Sequence, residues 1–203
     1  MIGTLLQEND QDNKSIAALM KAHEVDPQCS ETLFQLGVSC TNVLDEITSM
    51  MYLQDWLLVE RPLIAGNPLV SKERLAIDDY SAEEILAINQ ILLERFDHAM
   101  NTGPQDSKLL MAAGVLHFIG RHYKEAVECF QRSLHLDPKN YSGWNKFGAA
   151  LAHQGHKDLS KNAYNKALDL KPNYMRSWVN LGLNHSNDVN SLFLIFRATT
   201  RPL

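Results

Sequence analysis

Apolar and polar positions along the C-terminal half of the chain recur at the spacing of amphipathic helices. Ala126, Phe130 and Leu134 lie four residues apart, with charged residues between them. This spacing places the three side chains on one face of a helix, so the pattern predicts a helix that buries one side. A second stretch predicts a similar helix; its apolar positions are Leu159, Ala163, Tyr164 and Ala167.

The pattern is part of a longer repeat. Gly114, Gly148 and Gly182 follow one another at intervals of 34 residues. A proline ends each repeat, because it cannot continue a helix. Matched aromatic residues occupy equivalent positions of neighbouring copies. These repeated positions are Pro104, Pro138 and Pro172, the pair Phe130 and Tyr164, and the pair Trp144 and Trp178.

A further copy lies upstream, where Pro27, Leu33, Leu36 and Gly37 keep the mutual spacing of the later repeats. A 34-residue period with a large residue followed by Leu-Gly or Phe-Gly is typical of the tetratricopeptide repeat. Each such repeat is a pair of antiparallel helices, and its glycine lets the second helix approach the first closely. The sequence therefore predicts an all-α fold, a right-handed superhelix of stacked helix pairs.

The regular pattern fails in the middle of the chain. Two prolines, a glycine and mixed charges over about residues 63–82 predict an irregular connection. A helix should follow over 82–100, where the apolar stripe consists of Ile85, Leu86, Ile88, Ile91, Leu92 and Phe96. We predict an N-terminal repeat cluster at 1–62, a degenerate middle repeat at 63–106, a C-terminal cluster at 107–187 and an atypical tail at 188–203. Both ends resemble interrupted repeats, so we expect a chain truncated at each end.

The composition and net charge of the chain argue against some classes of function. The chain has 203 residues, 45% of them hydrophobic, and a formal net charge of −5. This charge argues against a basic nucleic-acid-binding surface, and no apolar run approaches the roughly 20 residues that span a bilayer. The three cysteines are scattered, which is typical of reduced packing residues.

No pattern predicts catalysis or a cofactor. Phosphate-binding glycine loops and nucleophile elbows do not occur in the sequence. His153 and His156 are three residues apart, but no cysteine or acidic partner stands beside them at a metal-ligand spacing, so we interpret them as solvated loop histidines. We therefore expect neither an enzyme nor a bound cofactor.

Several segments carry a more specific resemblance. LLQENDQDNKSIAALMKA, LGVSCTNVLDEI, GVLHFIGRHYKEAVECFQRSL, YSGWNKFGAALA and LDLKPNYMRSWVNLGLNHSN occur in this order. Together they resemble the C-terminal domain of the peroxisomal import receptors for C-terminal targeting signals. The resemblance extends to about residue 187 and implies two repeat clusters joined by a distorted repeat. It also implies a receptor for cargo tails of the S-K-L type.

The resemblance implies a set of peptide-binding side chains on the concave helices. A carboxamide both donates and accepts hydrogen bonds, so asparagine suits a peptide backbone. An arginine near the cargo terminus would meet its carboxylate by a charge-assisted bond. Lys146 follows Asn145 as it does in the family, and either a ligand contact or a solvated charge fits it equally well. The residues implied are Asn9, Asn42, Asn145, Lys146, Arg176, Asn180 and Asn187.

Two positions depart from the family pattern, because Phe118 and His153 stand where the family usually has asparagine. The family's N-terminal region, which carries its membrane-docking segments, has no counterpart here. The resemblance further implies a cytoplasmic receptor that cycles to the peroxisome, with matrix-protein tails as partners and docking proteins bound only through that other region. The alternatives are a co-chaperone module that clamps an acidic C-terminus and a scaffold without a peptide site.

Overall fold

The computed structural model describes residues 12–43, 45–67, 69 and 80–184. Every regular element within these ranges is a helix, in agreement with the predicted all-α fold. The chain divides into two compact units, Met1–His122 and Tyr123–Leu203, called here the N-terminal and C-terminal units. The domain boundaries predicted at residues 62, 106 and 187 stay a prediction.

The N-terminal unit contains six described α-helices and one 3₁₀ turn. Local sequence sets the helix starts: Asp45 accepts a hydrogen bond from Thr48 N at 3.0 Å, and Asp106 from Leu109 N at 2.7 Å. Ser81 and Glu84 form a reciprocal capping box. The elements are α1 (Asp12–Val25), α2 (Ser30–Cys40), the 3₁₀ turn (Thr41–Val43), α3 (Glu46–Glu60), α4 (Pro62–Ala65), α5 (Ala82–Thr102) and α6 (Ser107–Ile119).

Aromatic side chains occupy the centre of the N-terminal unit. Trp56 of α3 is only 2% exposed. Its ring centroid lies 5.4 Å from that of Phe34 on α2 and 6.2 Å from that of Phe96 on α5. Helices α2, α3 and α5 therefore share one aromatic cluster, so that the degenerate middle helix is held to the preceding repeat.

The C-terminal unit is more regular and contains α7 (Tyr123–Leu136), α8 (Tyr141–His153), α9 (Lys157–Leu170) and α10 (Met175–Asn184). Asn140 begins α8 by accepting a hydrogen bond from Gly143 N at 2.8 Å. The indole of Trp144 donates to the carbonyl of Pro138 at 3.0 Å, and Trp178 repeats this bond to Pro172 at 2.9 Å. The sequence period thus corresponds to a repeated contact.

Close helix approach at the repeat glycines is confirmed in both units. A Cβ added at Gly37 would lie 2.6 Å from Cδ2 of Leu53, and one added at Gly148 would lie 2.6 Å from Cε1 of Tyr164. Both distances are shorter than any ordinary carbon–carbon contact. Glycine at these positions therefore lets α3 pack on α2 and α9 pack on α8.

Three local expectations differ from the structure. Leu86 and Ile91 of the predicted α5 stripe are exposed, because α5 buries the face that carries Leu92 and Phe96. Leu159 was expected on the buried stripe of α9, yet it is 55% exposed while Ala163 and its neighbours pack inward. A short helix, α4, also occurs where an irregular connection was predicted.

Within the described ranges, no helix has both the length and the apolar content that a bilayer span requires.

Candidate functional site

The predicted binding residues fall into three groups. Asn145 and Lys146 lie on α8, and Arg176 and Asn180 lie one turn apart on α10, all in the C-terminal unit. Asn42 lies in the 3₁₀ turn of the N-terminal unit. The last two, Asn9 and Asn187, are outside the described residues.

Asn145 and Asn180 form a direct amide pair. Nδ2 of Asn180 donates to Oδ1 of Asn145 at 3.0 Å, and the Ser177 hydroxyl donates to the same oxygen at 3.0 Å. A carboxamide oxygen accepts two hydrogen bonds, so this one is fully used. Asn145 is only 4% exposed, whereas Asn180 is half-buried.

The hydrogen bonds fix which groups the pair can offer to a ligand. Asn180 keeps its carboxamide oxygen and one N–H, and Asn145 keeps its Nδ2 group, for which no described residue serves as acceptor. The pair therefore presents at least one donor and one acceptor side by side. An extended peptide backbone presents the complementary groups, because its N–H and C=O alternate along the chain.

Ser177 supports this pair and was missed by the sequence analysis. It is completely buried on α10 and contacts α8 through Asn145. Ser177 precedes Asn180 by three residues, so the two side chains project from one side of α10. That helical spacing was the only available signal, and serine alone is too common in helices to mark a site.

A pocket of about 310 Å³ adjoins the amide pair within the C-terminal unit. Asn180 belongs to its wall, opposite small residues of α8. The lining residues are Ala149, Ala152, His153, Tyr164, Asn180, Leu183 and Asn184. It is open to solvent and contains no acidic or basic residue other than the histidine.

Two further contacts shape the pocket wall. The His153 ring stacks on Tyr123, with centroids 4.5 Å apart and planes inclined by 8°. Asn184 donates through Nδ2 to the Lys157 carbonyl at 3.0 Å and to Oγ of Ser160 at 2.6 Å. Both hydrogens of that amide are thereby used, and its oxygen is left for other contacts. Sequence reasoning did not single out Asn184.

The floor of the pocket includes the Tyr164 ring, which is nearly buried. Burial raises the pKa of the Tyr164 phenol to about 12. The hydroxyl therefore stays protonated at neutral pH. The other lining groups are the His153 imidazole, two carboxamides and aliphatic side chains, so the pocket offers a ligand hydrogen-bonding groups beside apolar surface.

A second groove, of about 550 Å³, lies on α7, α8 and α9 within the same unit. Its walls are mainly apolar and include Val127, Trp144, Phe147, Leu151 and Leu159. None of the predicted binding residues lines it. The exposed position of Leu159, reported above, is explained by this groove.

In the described part of the chain, no three side chains of the His, Cys, Asp and Glu types are arranged to hold a metal ion. His153 faces the Tyr123 ring and His156 lies beside the apolar groove. The two histidines that the sequence places close together thus contact different surroundings.

Comparison with known proteins agrees with this architecture. Residues 107–140 and 141–174 each match the family model of the tetratricopeptide repeat. The crystal structure of YrrB, a TPR protein with an unusual peptide-binding site, superposes with a TM-score of 0.53 at 17% identity. It covers 89% of this chain and 90% of that one. The superposition supports the fold.

Relatives found by sequence similarity indicate a more specific family than the structural comparison does. A peroxisomal targeting signal receptor of Candida albicans is 29% identical over 190 residues, 92% of this chain and 31% of the relative. The receptor of Debaryomyces hansenii is 30% identical over the same shares. Peroxisome biogenesis protein 5 of Arabidopsis thaliana is 37% identical over 131 residues, 64% of this chain and 16% of the relative.

The chain spans about a third of the length of the targeting signal receptors it matches. The repeat matches lie inside the aligned part and keep the 34-residue register found in the sequence. The chain is therefore a tetratricopeptide-repeat protein that is homologous, over 92% of its length, to the peroxisomal targeting signal receptors.

Proposed function

We propose that this chain is a peptide-binding receptor domain that recognises C-terminal targeting tripeptides of the S-K-L type on peroxisomal cargo. The observation that carries the proposal is the Asn145–Asn180 amide pair, joined at 3.0 Å beside an open pocket. Relatives named as targeting signal receptors support it. Their names also support a binding role without catalysis.

Asn180 is the principal backbone contact in this proposal. It is half-buried and keeps its oxygen available for a peptide N–H. Asn145 orients it by accepting its amide hydrogen, and offers Nδ2 to a peptide carbonyl. Backbone recognition of this kind is independent of cargo side chains, so it suits a receptor with many cargo proteins.

Arg176 supplies the selectivity for a free C-terminus in the proposal. It lies one helical turn before Asn180, which places both side chains on the same face of α10. A guanidinium group binds a carboxylate through charge-assisted hydrogen bonds. Lys146, next to Asn145 on α8, adds positive charge to this surface. The remaining members of the proposed set are Asn9, Asn42 and Asn187.

Fluorescence anisotropy with labelled peptides tests the proposal. A peptide ending in S-K-L should bind with a micromolar Kd, about −8 kcal/mol. Its amidated form should bind more weakly, and an acidic tail of the chaperone type should not compete. A folded sample without S-K-L binding would contradict the proposal, and preference for the acidic tail would favour the co-chaperone alternative.

Arg176→Ala, crossed with peptide amidation, tests the role of the guanidinium. If Arg176 meets the carboxylate, the substitution should cost about 1.5–3 kcal/mol with the free acid. It should cost much less with the amide. Additive losses would show that Arg176 does not contact the terminal carboxylate. Lys166→Ala is the matched control, because Lys166 lines the other groove.

The cellular part of the proposal is a cytoplasmic receptor that cycles to the peroxisome. Its partners are the C-terminal peptides of matrix proteins, and its peroxisome-related relatives support this assignment. Fluorescent tagging in cells that import a reporter ending in S-K-L checks it. The tagged chain should bind the reporter, and Asn180→Ala should abolish that association.

A further inference from the structure

Asn184 ends α10 and lines the pocket that Asn180 also lines. Its amide nitrogen is bound to the protein, since Nδ2 donates to the Lys157 carbonyl at 3.0 Å and to Oγ of Ser160 at 2.6 Å. These two bonds use both hydrogens of the amide. Ser160 is completely buried on α9, so packing between α9 and α10 fixes the orientation of the Asn184 amide. Among the described residues no donor contacts the amide oxygen, which is therefore the group that Asn184 offers to a ligand.

Asn180 is oriented in a similar way one turn earlier. Its Nδ2 donates to Oδ1 of Asn145 at 3.0 Å, and its own oxygen stays available. Because Asn180 and Asn184 are four residues apart, their side chains lie on the same face of α10. The lining of the pocket contains no acidic residue. The helix therefore presents two neutral acceptors in a row, and neutral acceptors suit the N–H groups of a peptide backbone.

The helical spacing of these two asparagines corresponds to the repeat of an extended peptide. Four residues of an α-helix advance about 6 Å along its axis. In an extended chain, the N–H groups on one side belong to every second residue and lie about 6.6 Å apart. Two acceptors four residues apart on one helix therefore match the N–H groups of two alternate peptide residues.

We propose that Asn184 is a second backbone-binding residue of this site, an inference that rests on the proposed function. Its oxygen accepts the N–H of a peptide residue two positions from the one that donates to Asn180. The direction follows from Arg176, which precedes Asn180 on α10 and is assigned to the terminal carboxylate. The residue bound by Asn184 is therefore the one nearer the N-terminus of the peptide. Proline is disfavoured at that residue, because it has no N–H.

Backbone esters test this assignment on the whole chain by fluorescence anisotropy. In the probes, a peptide ending in S-K-L has one amide at a time replaced by an ester, which has an oxygen in place of the N–H. The Kd of each probe is measured for the original chain and for Asn180→Ala, Asn184→Ala and Asn162→Ala. Asn162 is the matched control, because it is an exposed asparagine of α9 that lines the other groove. Circular dichroism checks that each variant is folded.

In the original chain, an ester at each of two alternate positions should weaken binding about threefold to tenfold, the range for a neutral hydrogen bond. Asn184→Ala should abolish only the effect of the ester farther from the C-terminus. Asn180→Ala should abolish only the effect of the nearer ester, and Asn162→Ala should keep both. Because the same ester is compared between chains, its weaker carbonyl acceptor cancels, and so does a general loss of binding caused by altered packing around Asn184.

Three results would overturn the role of Asn184. The first is an original chain that binds the peptide but is insensitive to esters at alternate positions, and this result needs no variant. The second is a folded Asn184→Ala chain in which every ester keeps its effect. The third is a loss of sensitivity to norleucine in place of the peptide lysine in Asn184→Ala, which would assign the oxygen to that side chain. If the unmodified peptide does not bind a folded original chain, the proposed function itself fails.

Discussion

The two units use the same repeat glycine for close helix packing, but in different surroundings. In the N-terminal unit, the Gly37–Leu53 contact brings α2 and α3 together around a large aromatic cluster. In the C-terminal unit, the Gly148–Tyr164 contact brings α8 and α9 together, and the buried Tyr164 ring belongs to the core of that unit while it also lines the open pocket. One sequence signal, a small residue at a fixed register, therefore produces core packing in both units, and in the C-terminal unit the packed ring also borders an open pocket.

The largest expected effect is on the aromatic cluster. Trp56→Ala should lower the free energy of unfolding by about 3–5 kcal/mol, because the indole is buried between two aromatic rings. Trp178→Ala in the C-terminal unit should cost only about 1–2 kcal/mol, since that side chain is half-buried and has one indole hydrogen bond. Urea denaturation followed by circular dichroism measures both.

Trp56→Phe is the control for this pair. The Trp56 indole nitrogen is buried without a hydrogen-bond partner in the described part of the chain. Phenylalanine keeps most of the ring contacts and removes that unsatisfied donor, so it should cost much less than alanine. Equal losses for the alanine variants at Trp56 and Trp178 would remove the distinction between the two units.

The repeat glycines come next. Gly37→Ala and Gly148→Ala should each destabilise the fold by about 1–3 kcal/mol, because the added methyl group overlaps a packed side chain. Gly155→Ala is an informative control, since no atom lies within 4 Å of its added Cβ and only its φ of +82° opposes alanine. Thermal unfolding monitors all three variants, and a stabilised Gly148→Ala would contradict close packing at α9.

Substitutions at two asparagines distinguish an effect on peptide binding from an effect on stability. Asn180→Ala should weaken S-K-L binding by about 1–3 kcal/mol and leave the unfolding midpoint nearly unchanged, because the residue is half-buried at the pocket. Asn89→Ala in the N-terminal unit should lower the unfolding midpoint and leave S-K-L binding nearly unchanged. Asn89 is buried on α5 and donates to the Leu116 carbonyl of α6 at 3.0 Å. Paired anisotropy and denaturation experiments measure both quantities, and loss of binding in Asn89→Ala at full stability would refute the assignment.

The smallest expected effect is on the loss of stability at alkaline pH. Burial raises the pKa of Tyr52 to about 12 in the N-terminal unit, and that of Tyr164 to about 12 in the C-terminal unit. The unfolded phenol titrates near pH 10. A raised pKa of the folded state contributes stability below pH 10 that is lost as the pH rises from 10 to 12.

Tyr52→Phe and Tyr164→Phe should therefore each reduce the alkaline loss of stability by a similar amount. Denaturation at pH 9, 10 and 11 checks this, with phenolate absorbance at 295 nm as a second readout. An unchanged pH dependence in either variant would show that the corresponding phenol titrates normally in that unit.

Much of this architecture was predictable because the repeat register is strict. The positions of Gly37 and Gly148 predicted close helix approach, and the 34-residue alignment predicted that Asn145 and Asn180 lie on equivalent helices. A register of this kind fixes which residues of neighbouring helices are adjacent. The structure adds that the two amides are hydrogen-bonded to each other.

The remaining features depend on contacts that periodicity does not encode. Leu159 fits the apolar stripe of α9, yet its exposure depends on the groove formed with α7 and α8. Ser177 carries no distinctive sequence signal, because its role arises from the distance to one oxygen. The stacking of His153 on Tyr123 joins residues 30 positions apart that belong to different repeats.

The paired indole bonds bear on how such arrays gain and lose repeats. Trp144 and Trp178 each donate to a proline carbonyl six residues earlier, in the turn that ends the preceding repeat. The unit that these bonds hold together therefore includes one repeat and the last turn of the repeat before it. A duplication or deletion of 34 residues keeps this bond at the new junction wherever its breakpoints lie, because both prolines and both tryptophans are in the same register. An insertion or deletion within the interval from proline to tryptophan changes the six-residue separation and removes the bond.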